Sequence, residues 1–556
     1  MTNGAKSGAA HNTPNQNDYI ATYRAALSAL SGDINGTSPQ ALDLKHAAIL
    51  ALARAGSSEF AQQEFERYGL SAVSGHEDIM ALAGRLAKDR YRDSADVEHA
   101  RDSANLYEAA FKSTGGYYSG INAATMSLIA GVPSEIVKDR ARAVLARLSQ
   151  SGPKKTQDQN QDTTHPQDTT HPQDNAHHEE RYYIEASRAE AHYILGDIRA
   201  AQIALQAALD YDPLNYTAHA STYRQFKLLQ SAAPAQGVAA RKARWLEGLR
   251  PPAAVHFAGH LFSSSADEAQ LVVNIIDCIQ SHDIGFGYGA LAAGADIIFA
   301  ECLLEEGGEL HVVLPVAPSA FRKSSVAPRG QAWTARFDSC LHRAASVRVI
   351  TQNGNWPDAS LNNYCAQIAM GQACMRASEL SSPAMQVLMC ADIAGSTLTA
   401  AHGRDWLSVS AVAERPQIVI DFPRAAPEDA AAQDTAARAD TGYNAVIGLA
   451  KDGEFIAAFE DVQTAMAQAL EALKADKTSC AGLHIAPVGA GDDPAQRLSE
   501  SIALSAADLP SSLLVSQDVA AILALQAADS WQTGFMGWVD EGEARRAAYF
   551  ARPFSG

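Results

Sequence analysis

The chain has 556 residues, 47% hydrophobic and 19% charged, with a formal net charge of −19 at pH 7 and a mean hydropathy of −0.15. That length exceeds one ordinary core and predicts about three domains. The charge excludes nonspecific binding to nucleic acid or to an anionic membrane surface, because phosphates are repelled.

The opening stretch "MTNGAKSGAAHNTPNQND" is polar and carries no apolar signal core, and no apolar run approaches the roughly 20 residues of a membrane span. Seven cysteines, all from Cys278 onward, form no CxxC pair, so a reduced cytoplasmic chain with buried thiols is expected. From about Tyr19 to Leu148 apolar residues recur at helical spacing, and "ALDLKHAAILALARAG" and "SANLYEAAFKSTGG" close on glycine, a common helix stop. Residues 151–180, with "DTTHPQ" twice in tandem, are too polar to bury a core and predict a disordered insert. Its histidines (His165, His171, His177, His178) lack a rigid element to fix a metal geometry. Helices resume with "AEAHYILGD…ALQAALDYDP", which has the alternation of small and large residues of a tetratricopeptide repeat. The first domain therefore runs over 17–248 and contains the insert.

"LAGRLAKDRYR", "LYEAAFKSTGGYYSGINAATMSLIAG" and "ASRAEAHYILGD" resemble the tetratricopeptide domain first described as the TRAF-binding region of apoptosis-signal-regulating kinases, in its bacterial sensor form (TPR-S). Arg85, Lys88 and Asp89 share one helical face, as do Tyr118 and Asn122, and Glu190, Arg224 and Gln225 follow. These residues form either a solvated face laced with ion pairs, worth about 1 kcal/mol or less each, or a concave pocket for an anionic, nucleotide-like signal.

From "PPAAVHFAGHLF" onward strands and helices alternate, which predicts a parallel sheet with helices on both faces over 252–425. The stretch "GFGYGALAAGADIIFAE" holds Gly285, Gly287 and Gly289, followed by Asp296 and Glu301. It reads either as a loop whose amides hold phosphate before a helix N-terminus or as a tight turn that packs closely. With "AVHFAGH" and "FRKSSVAPRGQAWTARF" it resembles the SLOG superfamily of Rossmann-like domains. The resemblance implies a nucleotide site near Gly259, His260 and the glycines, with Arg322, Lys323, Arg329 and Arg336 as candidate phosphate caps. The hydrolase pattern of that superfamily, GGxGT followed by glutamate, is replaced here by "AGSTLTAAHG".

An acidic, alanine-rich joint precedes residues 442–554, read as strand, helix, strand, helix, strand, the last strand being "SSLLVSQDVAAIL". "DGEFIAAF" and "AGLHIAPV" resemble the C-terminal two-thirds of a class III nucleotidyl cyclase domain. Such enzymes hold two metal ions on two aspartates. Asp452 fits the second; for the first the candidates are Asp392, which also suits the end of the SLOG-like domain, and Asp421. The asparagine and arginine of the family's transition-state helix are replaced by Ser499 and Ala503, and Lys451 replaces the glycine before Asp452. Losing such an arginine costs about 10²-fold or more in rate, so the expected module is a cyclase relic for regulation or homodimerisation. The alternative is an active cyclase using Asp392 and Asp452 with Mg²⁺ or Mn²⁺.

The fold class expected is thus an α-helical TPR-like repeat domain, an α/β Rossmann-like SLOG domain, and an α+β ferredoxin-like cyclase-homology domain. The expected function is a cytoplasmic sensor of a nucleotide-like small molecule. A scaffold that binds a protein partner through the TPR helices is a further alternative. Neither nucleic acid nor membrane is an expected partner.

Overall fold

The computed structural model describes residues 18–30, 36–54, 57–150, 172–232, 244–259, 265–352, 359–389, 417–420, 444–459, 461–476, 479–488, 498–507, 509, 512–542 and 544–553. His260, Asp392, Asp421 and the "AGSTLTAAHG" stretch lie outside the described residues. The chain divides into two compact units, one of Thr22–Pro251, the other of Pro252–Phe554 with the N-terminal segment up to Ala21.

Among the described residues the regular elements of the first unit are helices: α1 (Tyr19–Leu30, begun in the other unit's segment), α2 (Pro39–Arg54), α3 (Ser58–Arg67), α4 (Glu77–Ser94), α5 (Val97–Thr114), α6 (Tyr117–Ile129), α7 (Ser134–Gln150), α8 (Pro172–Leu195), α9 (Ile198–Tyr211) and α10 (Tyr216–Ala232). Local signals set the boundaries. Asp96 caps α5 by accepting the Glu98 amide, and Gly115 ends it at φ 73°, a left-handed conformation that glycine adopts without strain. Asp197 caps α9 through the Ala200 amide at 3.1 Å. Successive helices from α4 to α9 pack on one another, and α6 also meets α8 and α10, so α4, α6, α8 and α10 are the alternate helices of the array. Helix α8 starts at Pro172, which places residues 172–180 of the expected insert in a helix. Proline suits a first helical turn, and "QDNAHHEE" contains nothing that stops the helix running back from the packed segment after it.

The second unit contains two six-stranded sheets. Sheet A is formed by β1 (Ala253–Gly259), β2 (Ile284–Gly289), β3 (Glu309–Val316), β4 (Ser346–Thr351), β5 (Ala384–Met389) and β6 (Gln417–Ile420), all parallel in the order β4-β3-β2-β1-β5-β6. Between these strands run α11 (Ser265–Ser281), α12 (Ala295–Glu305), the short α13 (Pro318–Phe321), α14 (Gln331–Arg343) and α15 (Ala359–Leu380). Val255, Phe257, Val312 and Leu314 face Leu271, Phe299 and Phe337 in one core. Each fully buried side chain of this kind contributes roughly 1.5–3 kcal/mol.

Sheet B follows the order β11-β12-β10-β9-β7-β8. Its strands are β7 (Asn444–Lys451), β8 (Glu454–Phe459), β9 (Cys480–Val488), β10 (Ser512–Ser516), β11 (Trp531–Glu541) and β12 (Ala544–Pro553), with α16 (Val462–Ala475), α17 (Ser499–Ser505) and α18 (Gln517–Gln526) between them. Among the described residues β9 and β10 pair in parallel, and the other ladders of this sheet are antiparallel. "SSLLVSQDVAAIL", expected as one strand, turns into helix after Ser516, whose side chain caps α18 through the Val519 amide. α15 is buried nearly all round, because sheet A covers one side and α18 lies against another.

Candidate functional site

The helical unit gathers the polar residues singled out in the sequence. Lys88 on α4 is buried, and its ammonium donates to Asn122 Oδ1 on α6 at 2.8 Å and to Gln225 Oε1 on α10 at 2.9 Å. Glu190 on α8 is buried beside them, next to Lys88 and Gln225. Four alternate helices thus send one polar group each to a common centre. Burial lowers the Lys88 ammonium, with Arg92 acting in the same direction and Glu190 against it. Burial likewise raises the Glu190 carboxyl against the pull of Lys88. One oxygen of that carboxylate, Oε2, is buried with no hydrogen-bond partner among the described residues.

The other expected residues surround this centre. Asp89 lies 3.5 Å from Arg85 and 3.4 Å from Arg92. The Tyr118 carbonyl accepts from Asn122 Nδ2 at 2.9 Å, and its ring meets Tyr107 edge-on, centroids 6.1 Å apart. Tyr118 is 46% exposed, and Arg224 is exposed on α10. Sequence reasoning missed Tyr183, whose hydroxyl burial raises to about 12, and on which Glu179, Arg54, Tyr118 and Arg224 all act electrostatically. It also missed Tyr107, which fills the space that Gly84 leaves open; a Cβ there would stand 2.7 Å from the ring. The only signal for either was a tyrosine at helical spacing from other apolar positions.

At sheet A the glycines fall differently from the loop reading. Gly285, Gly287 and Gly289 are residues of strand β2, and none has a positive φ. A Cβ would meet Pro252 at 2.6 Å from Gly285, Leu303 at 2.5 Å from Gly287 and the Phe257 carbonyl at 2.7 Å from Gly289. They are glycine because side chains at Gly285 and Gly287, and main chain at Gly289, occupy that space. The turn into α12 comes later, at Ala290–Gly294. There Asp296, buried in the first turn of α12, accepts from the amides of Gly259 at 2.7 Å and Ala292 at 3.3 Å. Burial raises its carboxyl to about 7, against those two hydrogen bonds. Gly259 ends β1 so close to α12 that a Cβ would stand 2.3 Å from that of Ala295. The Ala293 amide donates to the Ser325 carbonyl at 3.2 Å, inside a π-helical turn, Arg322–Val326. Two of the charged candidates pair within the fold. Arg336 holds Glu301 at 2.5 Å and Glu268 at 2.7 Å, and Arg322 takes both oxygens of Asp338 at 3.1 and 3.0 Å.

In sheet B, Asp452 (φ 50°) and Gly453 (φ 84°) form the two-residue turn joining β7 to β8. Asp452 exchanges hydrogen bonds with Cys480, its amide donating at 3.0 Å and its Oδ1 accepting at 2.9 Å. The ammonium of Lys451 lies 3.9 Å from its other oxygen. Ser499 donates to Glu541. Among the described residues no group of three or more histidine, cysteine, aspartate or glutamate side chains is arranged to hold a metal ion. No described helix is long and apolar enough to cross a membrane.

The family model described as Tetratricopeptide Repeats-Sensor matches residues 17–127, through α5 and most of α6. No curated protein matches the chain. The N-terminal unit is thus a tetratricopeptide-like array with a match to a sensor family, and the polar centre draws Lys88 and Asn122 from inside the matched span and Glu190 and Gln225 from beyond it.

Proposed function

We propose that the chain is a signalling sensor whose helical unit recognises an anionic, nucleotide-like small molecule at the centre formed by Lys88, Asn122, Glu190 and Gln225. The observation that carries this reading is the placement of Lys88 and Glu190 inside a helical array, one carboxylate oxygen having no hydrogen-bond partner among the described residues. A buried ion pair is often no more stable than apolar residues of the same volume. Packing alone therefore gives little reason for these groups, whereas a ligand with an anionic group for Lys88 and a hydroxyl or amino donor for Glu190 Oε2 would use both. Arg85 and Arg92 supply further positive charge, and Tyr118 and Tyr183 supply aromatic surface for a base.

Sheet A supports a second site of the same class. Its strand order reverses beside β1, and in open parallel sheets ligands bind outside the carboxyl ends of the strands at such a point. The SLOG-like reading now rests on Gly259, Asp296 and the Ala290–Gly294 turn, not on the β2 glycines. Sheet B is proposed as a cyclase-like module without catalysis, since Asp452 is engaged with Cys480.

Differential scanning fluorimetry with ATP, GTP, NAD⁺, ADP-ribose and cyclic nucleotides tests the proposal. At 100-fold over Kd a ligand adds about 2.7 kcal/mol, a shift that the double variant Lys88→Met/Glu190→Gln abolishes while remaining folded. If no compound shifts either protein, the small-molecule reading fails and protein scaffolding takes its place. Cyclic product from nucleoside triphosphate with Mn²⁺, lost in Asp452→Ala, overturns the non-catalytic reading of sheet B.

A further inference from the structure

The polar centre of the helical unit sets how far apart the groups of its ligand must stand. Gln225 is engaged on both sides of its carboxamide. Its Oε1 accepts from the Lys88 ammonium at 2.9 Å. Its side chain also hydrogen-bonds the Glu190 carboxyl, for which the amide nitrogen is the donor. One planar amide and two hydrogen bonds therefore span the gap and hold the two charged groups about 5 Å apart. Asn122 Oδ1 takes a second hydrogen of the ammonium at 2.8 Å, which leaves the third without an acceptor among the described residues. Glu190 Oε2 is buried and likewise has no hydrogen-bond partner among them.

That spacing selects the ligand. The anionic group on Lys88 and the donor on Glu190 must come from neighbouring parts of one molecule. In a ribonucleotide the phosphate and a sugar hydroxyl are a few bonds apart, whereas an exocyclic amine of the base lies beyond the whole sugar. A carboxylate only accepts, so Glu190 holds the hydroxyl and repels the phosphate. The base then goes toward the aromatic rings. Tyr118 stands one turn before Asn122 on α6, and Tyr183 two turns before Glu190 on α8. Each tyrosine acts electrostatically on the other, and Tyr118 is 46% exposed. Rings so placed offer a stacking surface to a base.

We infer that Glu190 is a ribose reader, its Oε2 accepting a sugar hydroxyl of a phosphate ester that Lys88 binds. The inference rests on the small-molecule reading above and adds to it the chemical class, a ribose phosphate, and the residue that tells ribose from deoxyribose. A ligand without the hydroxyl leaves a buried acceptor unpaired, so the site rejects it.

Isothermal titration of the full chain with ATP and GTP, their 2′-deoxy and 3′-deoxy forms, and ribose 5-phosphate tests this. Removing one of the two hydroxyls is expected to weaken nucleotide binding about 10- to 100-fold. Glu190→Met, folded by circular dichroism, brings the ribose and deoxyribose forms within about threefold of each other, whereas Lys88→Met weakens both together. The comparison on the wild type stands without either variant. Ribose 5-phosphate binding as tightly as the nucleotides keeps the hydroxyl contact and assigns the source to a sugar phosphate; weaker binding assigns it to a nucleotide. If the ribose form and both deoxyribose forms bind the wild type alike, the inference is overturned and the small-molecule reading stands. If none of these compounds binds, the inference is overturned, and the wider panel above decides the small-molecule reading.

Discussion

Asp296 sets two opposed effects against each other in one side chain. Burial raises its carboxyl from 3.8 to about 7, with the Gly259 and Ala292 amides acting in the other direction. A carboxyl raised in the folded state holds more protons than the unfolded chain between those values. Its contribution is therefore most favourable at acid pH and declines as pH rises from about 4 to 7. The interval from 3.8 to about 7, at ~1.36 kcal/mol per unit, corresponds to about 4 kcal/mol. The N-terminus of α12 favours the anion by up to ~1–2 kcal/mol, which leaves about 2–3 kcal/mol. Asp296→Asn keeps the shape and removes the titration, although its amide oxygen serves one backbone donor well where the carboxylate serves two. Urea denaturation between pH 4.5 and 8, followed by tryptophan fluorescence, should show the wild type losing about 2–3 kcal/mol more than the variant across that window. Equal losses in the two proteins would mean that the carboxyl is ionised throughout and that its hydrogen bonds outweigh burial.

Two further substitutions separate packing from chemistry. Gly371→Val on α15 drives a side chain into the Ala521 carbonyl, only 2.3 Å from an ideal Cβ, and should lower stability by more than Gly287→Val, where the flexible end of Leu303 can yield at a cost of about 1–3 kcal/mol. Thermal melts that rank the two in the opposite order count against the close approach of α15 and α18. Asp452→Asn tolerates a positive φ and retains an acceptor for the Cys480 amide, so its stability should stay within about 0.5 kcal/mol of wild type, while Asp452→Ala loses about 1–2 kcal/mol. Stabilisation of the wild type by Mn²⁺ that Asp452→Asn abolishes would make this residue a metal ligand instead.

Helical periodicity made the first unit readable, and the polar centre was readable with it. Lys88, Asn122, Glu190 and Gln225 each interrupt an alanine-rich helical pattern, which marks the positions without showing that they meet. Their meeting depends on the stacking of α4, α6, α8 and α10, a property of the array that no single helix contains. The glycines of β2 are the opposite case. Pattern alone cannot separate a glycine that frees the backbone from one that makes room for Pro252, Leu303 and Phe257, because those neighbours come from β1, α12 and the approach to the sheet. α18 was hidden by its own apolarity: "QDVAAILALQ" continues the buried run of β10, and only Ser516 followed by Asp518 carries a helix start. Asp452 followed by Gly453 is an ordinary hairpin signal, read toward metal chemistry on the strength of a resemblance.

The face of sheet A that meets α15 is unusual for a parallel sheet, which is ordinarily apolar on both sides. Gln386, His256, Tyr288, His311 and Ser346 are register partners on β5, β1, β2, β3 and β4, and so form one polar row across five strands. Members of the row bond or stack on one another: Gln386 bonds His256 at 3.0 Å, Tyr288 stacks on His311 with centroids 4.4 Å apart, and His311 bonds Ser346 at 2.8 Å, while His311 Nε2 is buried 3.6 Å from Glu309 with no hydrogen-bond partner among the described residues. Burial lowers His256 to about 4, so it is a neutral acceptor at physiological pH. Two residues along β4 from the row, Arg348 reaches Asp518 on α18 at 3.0 Å, and that carboxylate holds the guanidinium well above its ordinary range. Polar groups in such a layer add little net stability once desolvation is counted, but a mispaired one costs about 1–3 kcal/mol or more. They therefore penalise every arrangement but one, and the close packing of Gly371 on Ala521 penalises sliding as well. The polar row, the Arg348–Asp518 pair and the Gly371 contact thus all act on how α15 is held between sheet A and α18.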